Sequence, residues 1–161
     1  MGRGHIPMIA LDDLGFFARY IFDNRDAMSA RELEIASDYV DWPYLVDTFT
    51  KVTGNKAEYK ALTVEQWISL FTETEKALHM DEQGQEGVTT LKDNFIRWWN
   101  IYADDVLTRD LEQLRTIHPG LLSVEGWMRK YEYTGELKGP LLKDHEEGWG
   151  FSPNTEAISH L

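Results

Sequence analysis

The sequence contains no cysteine. That excludes a disulfide framework, a thiol nucleophile and a thiolate metal site, and it fits a reducing, cytoplasmic setting. No apolar run approaches the ~20 residues that a membrane span needs. Nor does an apolar stretch of signal-peptide type follow Met1-Gly2-Arg3-Gly4-His5. Basic residues are scarce. Sixteen Lys and Arg face twenty-eight Asp and Glu, a net charge of −12. Phosphate-rich partners would be repelled, so neither a nucleic acid nor an anionic membrane is expected. Glycine-rich phosphate loops are missing too. The runs Gly2-Arg-Gly4 and Gly148-Trp-Gly150 lack a third glycine and a preceding strand. No Gly-x-Ser-x-Gly elbow is present, which removes the serine-hydrolase reading. The five histidines lack His-x-His or i, i+4 spacing, so no metal site is expected.

What is present suffices for a core: 161 residues, 42% hydrophobic and 12% aromatic. Pro7 to Leu11 reads as a strand, with Asp12 and Asp13 offering caps to a helix that buries Leu14, Phe17, Ala18 and Ile21. Glu32 to Ser37 and Ala57 to Leu62 alternate polar and apolar residues, as half-buried strands do. Asp41 with Pro43 starts a helix that Gly54 ends. Thr63 and Gln66 form a capping box before Val64, Trp67, Ile68 and Phe71. Asp81 to Gly87 reads as a loop. A helix from Thr90 carries Leu91, Phe95, Trp98, Trp99 and Tyr102. Thr108 caps a short helix that His118-Pro119-Gly120 breaks, and Ser123 caps a last one. These elements predict an α+β fold, helix-dominated, a single domain with two to four short strands over residues 1–133. Residues 134–161 read as an extended or partly disordered tail, pinned by Trp149 and Phe151.

Three stretches carry a family likeness: Ile6-Pro-Met-Ile-Ala-Leu-Asp-Asp-Leu-Gly15, Phe49-Thr-Lys-Val-Thr-Gly54, and Leu111 to Trp127 with Ile117-His-Pro-Gly120. From His5 to about Trp149 the chain resembles the C-terminal, substrate-side half of NmrA-like proteins, atypical short-chain dehydrogenases. The dinucleotide-binding half that comes first in that family is absent from this sequence. So is Tyr-x-x-x-Lys, since no lysine has a tyrosine four residues upstream. The resemblance therefore implies a pocket for a small apolar molecule and no NAD(P) chemistry by this chain alone. No cofactor is expected.

Asp38 and Tyr39 stand at a predicted strand end, where sites form in α/β sheets, and are the candidate catalytic acid–base pair. Trp42, Trp67, Trp98, Trp99 and Tyr102 are the candidate substrate-binding walls, although aromatic stripes at helical spacing more often face a core. The expected function is a cofactor-independent isomerase, cyclase or rearrangement enzyme of secondary metabolism, acting on an epoxide or carbocation-like substrate. The alternative is a non-catalytic NmrA-like regulatory or partner-binding protein. Strands left without the other half expose edges and a face. A homo-oligomer is therefore expected, or pairing with a full-length NmrA-like protein.

Overall fold

A computed structural model describes residues 3–136 and 152–160. The elements run β1 (Ile6–Met8), α1 (Leu11–Asp23), α2 (Arg25–Met28), β2 (Asp38–Val40), α3 (Trp42–Thr53), α4 (Val64–Ile68), β3 (Phe71–Thr72), α5 (Leu91–Ala103), α6 (Leu111–Ile117), α7 (Val124–Lys130), β4 (Ser152–Pro153) and α8 (Thr155–Ser159). The fold is α+β and helix-dominated. It divides into two compact units, each assembled from separate stretches of chain. One holds Met1–Gly4, Lys60–Asp104 and Leu137–Leu161, the other His5–Tyr59 and Asp105–Glu136.

In the second unit β1 and β2 pair antiparallel, with Ile6 opposite Val40, Pro7 opposite Tyr39 and Met8 opposite Asp38. Phe17, Ala36, Val40, Leu114 and Met128 form its core. α3 lies against α7, and Lys51 Nζ meets Glu125 Oε2 at 2.8 Å across that contact. Asp41 caps α3 by accepting from Tyr44 N at 2.6 Å, and Gly54 ends it at φ +74°, where glycine is at ease. Ser123 caps α7 through Gly126 N. α6 is capped by Asp110 through Gln113 N, not by Thr108. The N-cap of α1 is Ala10, which offers no side chain. Asp12 and Asp13 fall one place or two inside the helix, so neither is the cap the pattern suggested.

In the first unit the Thr63–Gln66 capping box forms in both directions, at 3.1 and 2.8 Å. Thr90 caps α5 through Asp93 N. β3 pairs with β4, Phe71 opposite Pro153 and Thr72 opposite Ser152. Val64, Ile68 and Ala77 are its buried apolar residues. Of the expected tail, residues 137–151 and 161 lie outside the described residues, including Trp149 and Phe151. The described part carries β4 and α8.

Two expected strands form no ladder. Residues 32–36 and 57–62 keep an uneven alternation of burial but are assigned no strand. For 32–36, a period of two needs a partner backbone as well as a buried face. β1 ends at Met8 and the chain turns into α1 three residues later, so the ladder beside β2 is only three residues long. The capping box gives a local check. Thr63→Ala should cost about 1 kcal/mol of stability, read from urea unfolding followed by tryptophan fluorescence. A loss below about 0.3 kcal/mol would show that the box does not hold α4.

Candidate functional site

Asp13 is 1% exposed on the inward face of α1. Ser37 Oγ donates to its Oδ2 at 2.6 Å, and Leu122 N to the same oxygen at 3.0 Å. His118 Nε2 stands 3.0 Å from Oδ1. Oδ1 accepts from Nε2 in the tautomer that carries the ring proton there. The His118 ring stacks on Phe16 with centroids 3.8 Å apart. Ser37 Oγ also accepts from Ala10 N at 3.0 Å. A serine, a histidine and an aspartate thus meet, but in the wrong order for nucleophilic catalysis. The serine donates to the aspartate rather than to the histidine, so the relay of a hydrolase triad is not formed. The cluster ties α1 to the chain at Ser37 and at 118–122. Asp13, expected as a cap, is instead the shared acceptor of this cluster.

Asp38 opens β2. Its Oδ2 accepts from the Tyr44 hydroxyl and from Val124 N, each at 2.8 Å, and its Oδ1 accepts from Tyr39 N at 3.0 Å. Val124 is the first residue of α7, so Asp38 satisfies an otherwise orphaned N–H there. Burial, and then the hydrogen bond to Asp38, holds the Tyr44 phenol above the usual tyrosine value. Tyr39 lies next along the strand, where successive side chains point to opposite faces. Its hydroxyl donates to Leu107 O at 3.3 Å. The structure therefore partners Asp38 with Tyr44, six residues on, rather than with Tyr39.

The aromatic candidates fall in both units. Trp42 stacks with Tyr59, ring planes 11° apart, in the second unit. In the first unit Trp67 meets Phe71, Phe95 and Trp99 at 4.9, 5.9 and 5.7 Å. Trp98 meets Trp99 at 4.7 Å and Tyr102 at 5.0 Å, mostly edge to face, the arrangement that aromatic quadrupoles favour. These rings wall one another. Trp98 is the outermost, 42% exposed.

The second unit contains a cleft of about 410 Å³. Tyr20, Ala27, Met28, Leu33 and Ile117 give it apolar surface, and Arg31, Glu32, Glu34, Asp110 and Gln113 give it polar groups. Glu34 lies 3.5 Å from Arg109 Nη1, and Asp110 is engaged as the α6 cap. None of the sequence candidates lines it. Its residues come from α1, α2, the ladder-free stretch 31–34 and α6, and no local pattern announces that convergence. Among the described residues, no group of three or more His, Asp or Glu is placed to hold a metal ion. No described helix is long and apolar enough to cross a membrane.

A dinucleotide finds no cradle in the strand-to-helix turns of the second unit. β1 enters α1 through Ile9 and Ala10, and β2 enters α3 through Asp41, both turns without glycine. Asp12 and Asp13, or Asp41, occupy the helix starts that a pyrophosphate would use, and like charge repels it.

No protein-family model matches the chain. Over 63 residues, 38% of its length, it is 32% identical to the NmrA-like family domain-containing oxidoreductase himF of Aspergillus japonicus. The match spans 19% of that protein. The likeness to an NmrA-like protein is thus confined to 63 residues.

Two substitutions test the carboxylate hubs. Asp13→Ala strands three buried or half-buried donors and should cost about 3 kcal/mol, read by chemical denaturation. Tyr44→Phe should cost about 1 kcal/mol at neutral pH. A phenol held protonated in the folded state stabilises below its ordinary value of about 10, and that contribution fades as pH rises through the raised folded value. The gap between Tyr44→Phe and the parent should therefore close above about pH 10. A gap that widens there would refute the assigned bond.

Proposed function

We propose that this chain corresponds to the substrate-side part of an NmrA-like protein and binds a small, largely apolar molecule without catalysing its conversion. The cleft in the second unit carries this reading. Its volume lies within the ~300–1,000 Å³ usual for ligand sites. Its lining holds three carboxylates, Glu32, Glu34 and Asp110, and one cation, Arg31, while Arg109 behind the lining reaches Glu34 at 3.5 Å. A ligand with an apolar body and a cationic end suits that lining. Among the described residues the most enclosed carboxylate, Asp13, and the candidate acid, Asp38, are both occupied in holding helices and loops together. A regulatory role in the cytoplasm, attached to secondary metabolism, is the setting that fits such a binder.

Nuclear magnetic resonance on isotope-labelled protein tests the reading with a matched pair of probes, 4-phenylbutylamine and 4-phenylbutyrate. The amine should shift resonances of Tyr20, Met28 and Gln113 and bind about tenfold tighter than the acid, a difference of about 1.4 kcal/mol. Glu34→Gln should weaken the amine. If neither probe perturbs these residues at millimolar concentration, the cleft is not a ligand site.

The catalytic reading, a cofactor-independent isomerase or cyclase, rests on one observation: the phenol–carboxylate pair of Tyr44 and Asp38 at 2.8 Å. It assigns Asp38 to proton transfer, with the Tyr44 phenol as its hydrogen-bond partner. Asp38→Asn would then lower turnover by ~10²–10⁴-fold in a folded protein. Parent-like turnover by the folded variant would remove Asp38 from the chemistry.

A further inference from the structure

α1 has more apolar surface than its own unit covers. At about 100° per residue, Asp13, Phe17 and Tyr20 fall on one side and Asp12, Arg19 and Asp23 form a narrow charged strip. The remaining third, Leu11, Leu14, Gly15, Ala18, Ile21 and Phe22, faces outward. Leu11 and Phe22 are each 80% exposed, and Leu14 and Ile21 are 42% and 40% exposed. Nothing approaches within 4 Å of the position a Cβ would take on Gly15. This patch is on the order of 500 Å², the size at which an exposed apolar surface marks an interface.

We infer that this face binds a second copy of the chain, helix against helix and antiparallel. The order of sizes along the stripe is large, small, large. Crossing midway between Gly15 and Ala18 lets two backbones approach closely there. It sets Leu11 against the partner's Phe22, and Phe22 against the partner's Leu11. The same register brings Arg19, which pairs with Asp23 at 3.1 Å in its own copy, within about one turn of the partner's Asp12, whose own-copy partner is Lys130 at 2.7 Å. A parallel pairing would instead align Asp12 with Asp12 and Asp23 with Asp23. Two such patches bury about 1,000 Å², the lower bound for a specific interface, so the dimer should be micromolar rather than obligate. Each copy carries a net charge of −12. Salt screens that repulsion, so the dimer should tighten as salt rises.

The inference is independent of the cleft. Sedimentation equilibrium on the intact chain from about 2 to 200 µM should show a mass rising from 18.7 kDa towards twice that value. Ala18→Glu places a charge at the crossing of an exposed helix position. It should leave circular dichroism unchanged and raise the dimer dissociation constant by about 30-fold or more. The absence of native cysteine allows a test of register. Leu11→Cys mixed with Phe22→Cys should form an intermolecular disulfide, and neither variant alone should do so, because only the mixed pair meets the ~4.4–6.8 Å Cα spacing. A monomer throughout, a dimer indifferent to Ala18→Glu, or single variants that cross-link as well as the mixture would each overturn it.

Discussion

Asp13 is a carboxylate almost without water, and the second unit is arranged around its needs. Removing an ion from water costs several kcal/mol, and only close, well-aimed donors offset that. Here a hydroxyl, an imidazole and a backbone N–H converge from three places: the end of the ladder-free stretch, the residue that stops α6 and the approach to α7. Each donor is spent on the same acceptor. Ser37 is fixed further by Ala10 N, which sets the chain just before α1. Losing the carboxylate would free three segments at once.

Asp38 repeats the device at smaller scale. It joins the start of β2 to the start of α7 and to the phenol of α3. Asp38 uses the helix-start principle, its carboxylate meeting the orphaned N–H of Val124, whereas Asp13 meets Leu122 N, two residues before α7 begins. That is why acidic residues near the strands read so easily as candidate acids. Their position near strand ends is a consequence of where helices begin. A group that could transfer a proton and one that terminates a helix demand the same residue types. Geometry separates them, through whether any oxygen is left for a substrate.

The elements that sequence made legible are those whose determinants lie within four residues. Asp41, Thr63 with Gln66, Thr90, Ser123 and Gly54 act where the pattern placed them, because capping is a local exchange of hydrogen bonds. The stretches 32–36 and 57–62 were not legible as coil, because what decides a ladder is a partner strand elsewhere in the chain. Asp13 was not legible as a hub, because Ser37 is 24 residues away and His118 is 105 away. The aromatic stripe of α5 was read correctly as a helix, while its neighbours Trp67 and Phe71 come from α4 and β3. The cleft lay beyond reach for the same reason: it is a meeting of distant stretches.

The buried carboxylate also explains why so much leucine and phenylalanine faces outward on α1. Turning the helix by one residue's worth, about 100°, would bring Leu11 or Phe22 towards the core. It would also pull Asp13 from its three donors and expose them unpaired. Burying a Leu or Phe side chain contributes about 1.5–3 kcal/mol. Breaking a buried hub costs about 3–5 kcal/mol. The polar constraint wins over the hydrophobic one, and the rotation of α1 is set by Asp13 rather than by its apolar residues. An outward stripe is then the stable arrangement of a single copy.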